Sequence, residues 1–132
     1  MLECLIMGDS IAVGTAQVRQ ECVSYSKGGI NSYDWVNKNV GKSPYVAKTV
    51  IISLGSNDHK GVKTELELQT IRQLTKADRV YWILPANKKD IADIVFKIAN
   101  EYHDRVVKIA DLSKDGVHPT GKGYKMIAEQ TR

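Results

Sequence analysis

Four short polar segments, each with glycine, carry the side chains that could do chemistry in this chain. They are Gly8-Asp9-Ser10, Gly28-Gly29, Gly55-Ser56-Asn57-Asp58 and Asp115-Gly116-Val117-His118-Pro119. Together they supply a hydroxyl, a side-chain amide, a carboxylate and an imidazole, the set that acyl transfer uses. A serine hydroxyl attacks a carbonyl only when a neighbouring base takes its proton, and an imidazole does so best when a carboxylate fixes its tautomer. Ser10 is therefore the candidate nucleophile and His118 the candidate base. Asp115, three residues before His118 on one glycine-containing loop, is spaced to reach the imidazole Nδ1.

The oxyanion formed by such an attack needs donors aimed at one point. The N–H of Ser10 at a helix start is one candidate, an N–H from Gly28-Gly29 a second, and the amide of Asn57 a third. Asparagine donates without carrying a proton it could lose, and glycine lets backbone approach a substrate closely. Taken singly, each segment has a plainer reading: a turn with an N-cap, a polar loop, a capping histidine. The weight lies in all four occurring together. Asp9 and Asp58 are expected to brace their loops by hydrogen bonds rather than act as acids. His59 reads as a solvated loop residue, and His103 as a helix-end cation facing the dipole.

These segments fall between alternating strand and helix patterns. Strands are expected over 2–7, 21–25, 46–54, 79–84 and 105–109, the run Val50-Ile51-Ile52-Ser53-Leu54 being apolar enough for cover on both faces. Helices are expected over 11–20, 32–39 with Ser32 as N-cap, 63–75, 89–102 and 120–130. Leu66, Leu68, Ile71 and Leu74 mark one apolar stripe; Ile91, Ile94, Val95 and Ile98 mark another. Pro119 is placed at the first helical position. This order implies an α/β fold with a five-stranded parallel sheet and helices on both faces, in a single domain spanning 1–132. Ligands of such sheets lie beyond the carboxyl ends of the strands, where all four segments fall.

In these four blocks the sequence resembles the SGNH hydrolases, the GDSL-type esterases and lipases, across residues 8 to 119. The resemblance implies a three-layer flavodoxin-like fold, with Ser10 as nucleophile and His118 and Asp115 completing the triad. It also implies the Ser10 N–H, Gly29 N–H and Asn57 as oxyanion-hole donors, Gly29 being preferred to Gly28 because Ser32 follows it by three. The first block reads Gly-Asp-Ser-Ile where the common form has leucine. The connections are short, Leu84 passing through Pro85-Ala86-Asn87 into a helix, so an open, shallow site is expected. That favours a short acyl group such as acetyl on carbohydrate. The alternatives are a lysophospholipase or thioesterase of the same family, and a catalytically silent domain that binds RNA or another polyanion.

The rest of the sequence narrows the field. Ala12 stands where a Gly-x-Ser-x-Gly elbow needs glycine, no lysine completes a phosphate loop, and no Gly-x-Gly-x-x-Gly exists. His59, His103 and His118 lack metal-ligand spacing, so no metal and no cofactor is expected. The net charge of +4 is spread over Lys38, Lys42, Lys48, Lys60, Lys63, Lys88, Lys89, Lys122 and Lys125. Without interleaved aromatics these read as a solvated surface, so the expected partner is an ester substrate rather than nucleic acid. No apolar run reaches the roughly 18–20 residues of a membrane span. The opening residues run straight into a strand pattern without a leader, which predicts a cytoplasmic protein, a trimmed secreted chain being the alternative. Cys4 and Cys22 are expected to be buried reduced thiols, as that compartment would keep them, a disulfide being conceivable only if their two strands are neighbours.

Overall fold

The computed structural model describes residues 1–39 and 44–132, so Lys42 lies outside the described residues. Its strands are β1 (Leu2–Gly8), β2 (Val23–Ser26), β3 (Tyr45–Ser53), β4 (Thr75–Lys76), β5 (Arg79–Ile83) and β6 (Arg105–Val107). Its α-helices are α1 (Ser10–Val18), α2 (Ser32–Asp34), α3 (Thr64–Leu74), α4 (Lys89–Glu101) and α5 (Gly121–Gln130). Five strands run in the order β2-β1-β3-β5-β6, every pairing parallel, and β4 pairs with β3 off that path. The five-stranded parallel sheet expected from the sequence is therefore present, with one two-residue strand added. Thr75 leaves α3 with extended backbone, so it starts β4 rather than ending the helix.

Side chains alternate across a strand, and here each alternation feeds a different core. Leu5, Met7, Val50, Ile52, Val80 and Trp82 pack on one face with Trp35, Leu68, Ile71, Val95 and Ile98. Cys4, Ile6, Ile51, Tyr81 and Ile83 pack on the other with Ile11, Ala12 and Ile127. Thus α3 and α4 cover one face and α1 and α5 the other, the three-layer arrangement. In α3 the buried stripe is Leu68 and Ile71, while Leu66 faces solvent.

Three local expectations are corrected. Asn31, not Ser32, caps α2: its side chain accepts from the Asp34 N–H at 2.8 Å. The chain then continues as a π-helical turn over Trp35–Asn39. Trp35 is fully buried and its indole donates to the Tyr25 carbonyl at 2.9 Å. The cysteines are not reduced thiols: Cys4 and Cys22 form a disulfide. Leu5 pairs with Val23, so the residues one step back, on β1 and just before β2, fall side by side. Finally, Pro119 lies before the helix, because Thr120 supplies the capping oxygen, accepting from the Gly123 N–H at 3.1 Å. No helix among the described residues is long and apolar enough to cross a membrane.

Candidate active site

Where β1 ends, only glycine fits. Gly8 has φ +144°, and a Cβ there would lie 1.8 Å from the Ser53 carbonyl oxygen. This close approach lets the Asp9 N–H donate to that oxygen at 2.9 Å. Asp9 then caps α1: its Oδ1 accepts from the Ile11 N–H at 3.0 Å and the Ser53 hydroxyl at 3.1 Å, and its Oδ2 from the Ser56 hydroxyl at 2.8 Å. Burial pushes this carboxyl upward from its ordinary range, while the hydrogen bonds oppose the shift. Asp9 ties the end of β1 to the loop after β3, the bracing expected of it.

Ser10 follows as the first residue of α1, where an N–H has no partner within the helix. Its Oγ lies 2.8 Å from His118 Nε2, although 108 positions separate the two in sequence. His118 Nδ1 lies 2.7 Å from Asp115 Oδ2. The other oxygen, Asp115 Oδ1, accepts the N–H groups of Val117 at 2.8 Å and His118 at 2.9 Å. The hydrogen bond from the His118 ring holds the Asp115 carboxyl well below the usual carboxylate range, with help from these two N–H groups and the Ser113 hydroxyl. An ionised Asp115 accepts only, so Nδ1 carries the ring proton and Nε2 is the acceptor facing Ser10.

The loop bearing this pair is closed at its base. Leu112 and Pro119 form an antiparallel bridge, and the Ser113 N–H donates to the His118 carbonyl at 2.8 Å. The Ser113 hydroxyl lies 2.7 Å from Asp115 Oδ1 and 2.9 Å from the His118 carbonyl, sharing one proton between them. Gly116, at φ +70°, turns the chain between aspartate and histidine. Ser113 escaped the sequence reading; its one signal is a hydroxyl two residues before an aspartate, a common local bracing pattern.

The remaining segments meet the same edge. The Lys27 N–H donates to the Gly8 carbonyl at 3.0 Å, which seats the Gly28-Gly29 turn beside α1. A Cβ on Gly28 would lie 3.9 Å from Ser10 Cβ, whereas one on Gly29 would meet nothing within 4 Å, although φ there is +78°. Asn57 Nδ2 donates to the Ile30 carbonyl at 3.0 Å, tying the loop after β3 to that turn. Asp58 is buried and bonded to the Ser32 N–H and the Thr64 hydroxyl, each at 2.8 Å, the second bracing carboxylate. Lys88 Nζ donates to its carbonyl. A cavity of about 240 Å³ adjoins the turn, lined by Lys27, Gly28, Gly29, Ile30, Asp34 and Lys38. His59 accepts from the Gly61 N–H at 3.1 Å within its own exposed loop, and His103 follows α4 at φ +57°. Among the described residues, one cluster has metal-ligating types within reach of one another, Cys4, Glu21 and Cys22, and its thiols are tied up in the disulfide.

No family model matches this chain, and no curated protein does. Solved structures do. A protein described as a GDSL-like lipase from Bacteroides uniformis superposes with a TM-score of 0.62 at 16% identity, covering 97% of this chain and 92% of that one. The Bacillus subtilis protein YXIM gives 0.64 at 11% identity over 98% of this chain. An acetyl xylan esterase from the rumen bacterium Butyrivibrio proteoclasticus gives 0.59 at 11% identity over 97%. This chain spans 54% of the Bacillus protein and 61% of the esterase. The molecule therefore has an SGNH/GDSL hydrolase-like fold, and at these identities the likeness is one of fold.

Proposed function

We propose that this protein is a serine esterase that hydrolyses carboxylic esters through an acyl-enzyme. The observation that carries the reading is the unbroken chain Ser10 Oγ–His118 Nε2 and His118 Nδ1–Asp115 Oδ2, at 2.8 and 2.7 Å. Ser10 Oγ attacks the ester carbonyl as its proton passes to His118 Nε2, and the oxyanion forms beside the start of α1. Donors for it are the Ser10 N–H, an N–H of the Gly28-Gly29 turn, by resemblance that of Gly29, and the second amide hydrogen of Asn57. Collapse breaks the bond to the alcohol, which leaves with the His118 proton. Water then attacks the acyl-enzyme, His118 takes its proton, and the acid departs with Ser10 restored.

The substrate we propose is a short acyl ester, acetyl on carbohydrate. The short connections after Asp58 and Leu84 and the small cavity against the Gly28-Gly29 turn support that choice. A long acyl chain lying on open surface forgoes the ~0.8 kcal/mol that each fully buried methylene contributes. Hydrolysis of p-nitrophenyl acetate, butyrate and octanoate tests this reading. Catalytic efficiency should be flat or falling with length; a steep rise would move the assignment to a lipase or thioesterase. The Cys4–Cys22 disulfide supports an oxidising compartment in place of the cytoplasmic location expected from the sequence, because disulfides persist where thiols are not continually reduced.

A further inference from the structure

The connection between β5 and α4, residues 84–88, packs against the loop that carries Asn57. Contact begins at Gly55, whose φ is +117° and where a Cβ would lie 2.6 Å from Ile91 Cγ2 and 3.2 Å from Pro85 Cγ. The loop after β3 is thus seated directly on the turn that leaves β5. Two side chains of that turn then reach back across the seam. Asn87 Nδ2 donates to the Ser56 carbonyl at 3.2 Å, and Lys88 Nζ donates to the Asp58 carbonyl.

These two acceptors bracket Asn57. The Ser56 carbonyl belongs to the peptide unit that ends at the Asn57 nitrogen, so Asn87 fixes the plane on one side of Asn57. On the other side the Asp58 N–H donates to the Gly55 carbonyl at 3.0 Å, and Lys88 holds the carbonyl that follows. The Asp58 carboxylate is anchored in turn on the Ser32 N–H and the Thr64 hydroxyl. Asn57 uses one amide hydrogen on the Ile30 carbonyl, and the direction of the other follows from the backbone so held.

Lys88 breaks the rules of its own helix. It stands at the N-cap of α4, where a side-chain oxygen would accept a free N–H, and it makes no capping bond. Its ammonium also opposes the positive end of the helix dipole. Aspartate would cap better but has no proton to give the Asp58 carbonyl. The residue present suits the neighbouring loop at the expense of α4.

We propose that Asn87 and Lys88 are positioning residues for the oxyanion donor Asn57, holding its amide where negative charge develops. The inference rests on the esterase reading and extends it to two side chains that do not touch substrate. A displaced donor loses much of its effect on the transition state, while ground-state binding changes little. Removing either side chain should therefore act on kcat rather than on KM.

The test is a double-mutant cycle on p-nitrophenyl acetate. Lys88→Met and Asn87→Ala should each lower kcat by roughly 5- to 50-fold, with KM within about twofold of wild type. In an Asn57→Ala background the same substitutions should change kcat by less than about twofold, because the group they position is gone. Lys89→Met removes a neighbouring lysine that pairs with Asp93 on the helix surface, and it should leave kcat unaltered. Asn87 is exposed, so Asn87→Ala retains the fold and decides the cycle even if Lys88→Met unfolds. Equal losses with and without Asn57, or no loss at all, would overturn the proposal. If wild type cleaves no ester, it is the esterase reading that fails. The side-chain amide resonances of Asn57 in a nitrogen–proton correlation spectrum, identified by their absence from Asn57→Ala, then decide the positioning. Displaced or broadened resonances in Asn87→Ala and Lys88→Met support it, and unchanged resonances overturn it.

Discussion

Asp115 holds His118 twice, by its backbone N–H at 2.9 Å and by its ring Nδ1 at 2.7 Å, using a different carboxylate oxygen for each. One side chain thus sets both the position of the histidine in its loop and the tautomer of its ring. In Asp115→Asn the amide oxygen can keep one of these bonds, but the amide nitrogen cannot accept the other. Activity on p-nitrophenyl acetate should fall roughly 100- to 10,000-fold without loss of fold. A kcat within a few-fold of wild type would remove Asp115 from the mechanism.

The same pairing sets the acid side of the pH profile. Asp115 is held well below the usual carboxylate range, so its own protonation lies beyond the acid limb of the profile. One protonation then ends activity, and log kcat/KM should fall with unit slope as pH is lowered. A limiting slope of two would show Asp115 titrating in the same range and contradict the hydrogen bonding described.

Asn57 joins two loops by its bond to the Ile30 carbonyl while keeping a second amide hydrogen. Asn57→Ala should lower kcat by roughly 100- to 1,000-fold with a smaller change in KM, as loss of an oxyanion donor does. Should KM rise while kcat holds, Asn57 serves ground-state binding instead.

Asp9 works in the opposite sense to Asp115. Burial raises its carboxyl above the ordinary value of 3.8, so folding disfavours its ionised form. Its stabilisation is fullest below that ordinary value and is lost as pH rises through the raised one. Asp9→Asn is neutral throughout. Its melting temperature relative to wild type should therefore climb as pH increases from the acid side, whatever the fixed cost of exchanged hydrogen bonds. A difference that moves the other way would mean Asp9 is favoured as an anion.

How much of this was legible beforehand depended on the distance over which each cause acts. The strands that end in Gly8-Asp9-Ser10 and Gly55-Ser56-Asn57-Asp58 declare themselves by local apolar runs, and the carboxyl-end rule then places their loops on one edge. The bracing roles of Asp9 and Asp58 were also readable, as turn-forming carboxylates beside serine and threonine. The Cys4–Cys22 pairing was not, because it depends on the register between β1 and β2. The π-helical turn was hidden for a similar reason: it accompanies the burial of Trp35 onto the Tyr25 carbonyl, a contact across ten residues.

The disulfide closes a separation of 18 residues, for which chain entropy predicts about 3 kcal/mol of stabilisation. The Cys4→Ser, Cys22→Ser double variant should lose about that much in urea unfolding, and wild type unfolded in urea without reductant should show no thiol to Ellman's reagent. Two reactive thiols in the unfolded protein would restore the reduced state expected from the sequence.

The most direct test of the central claim is covalent labelling by a serine-directed fluorophosphonate followed by peptide mass spectrometry. The geometry predicts a single adduct on the peptide containing Ser10, absent in Ser10→Ala and greatly slowed in His118→Ala, with both variants folded. An adduct on another serine, or labelling of Ser10 at an undiminished rate without His118, would contradict the account.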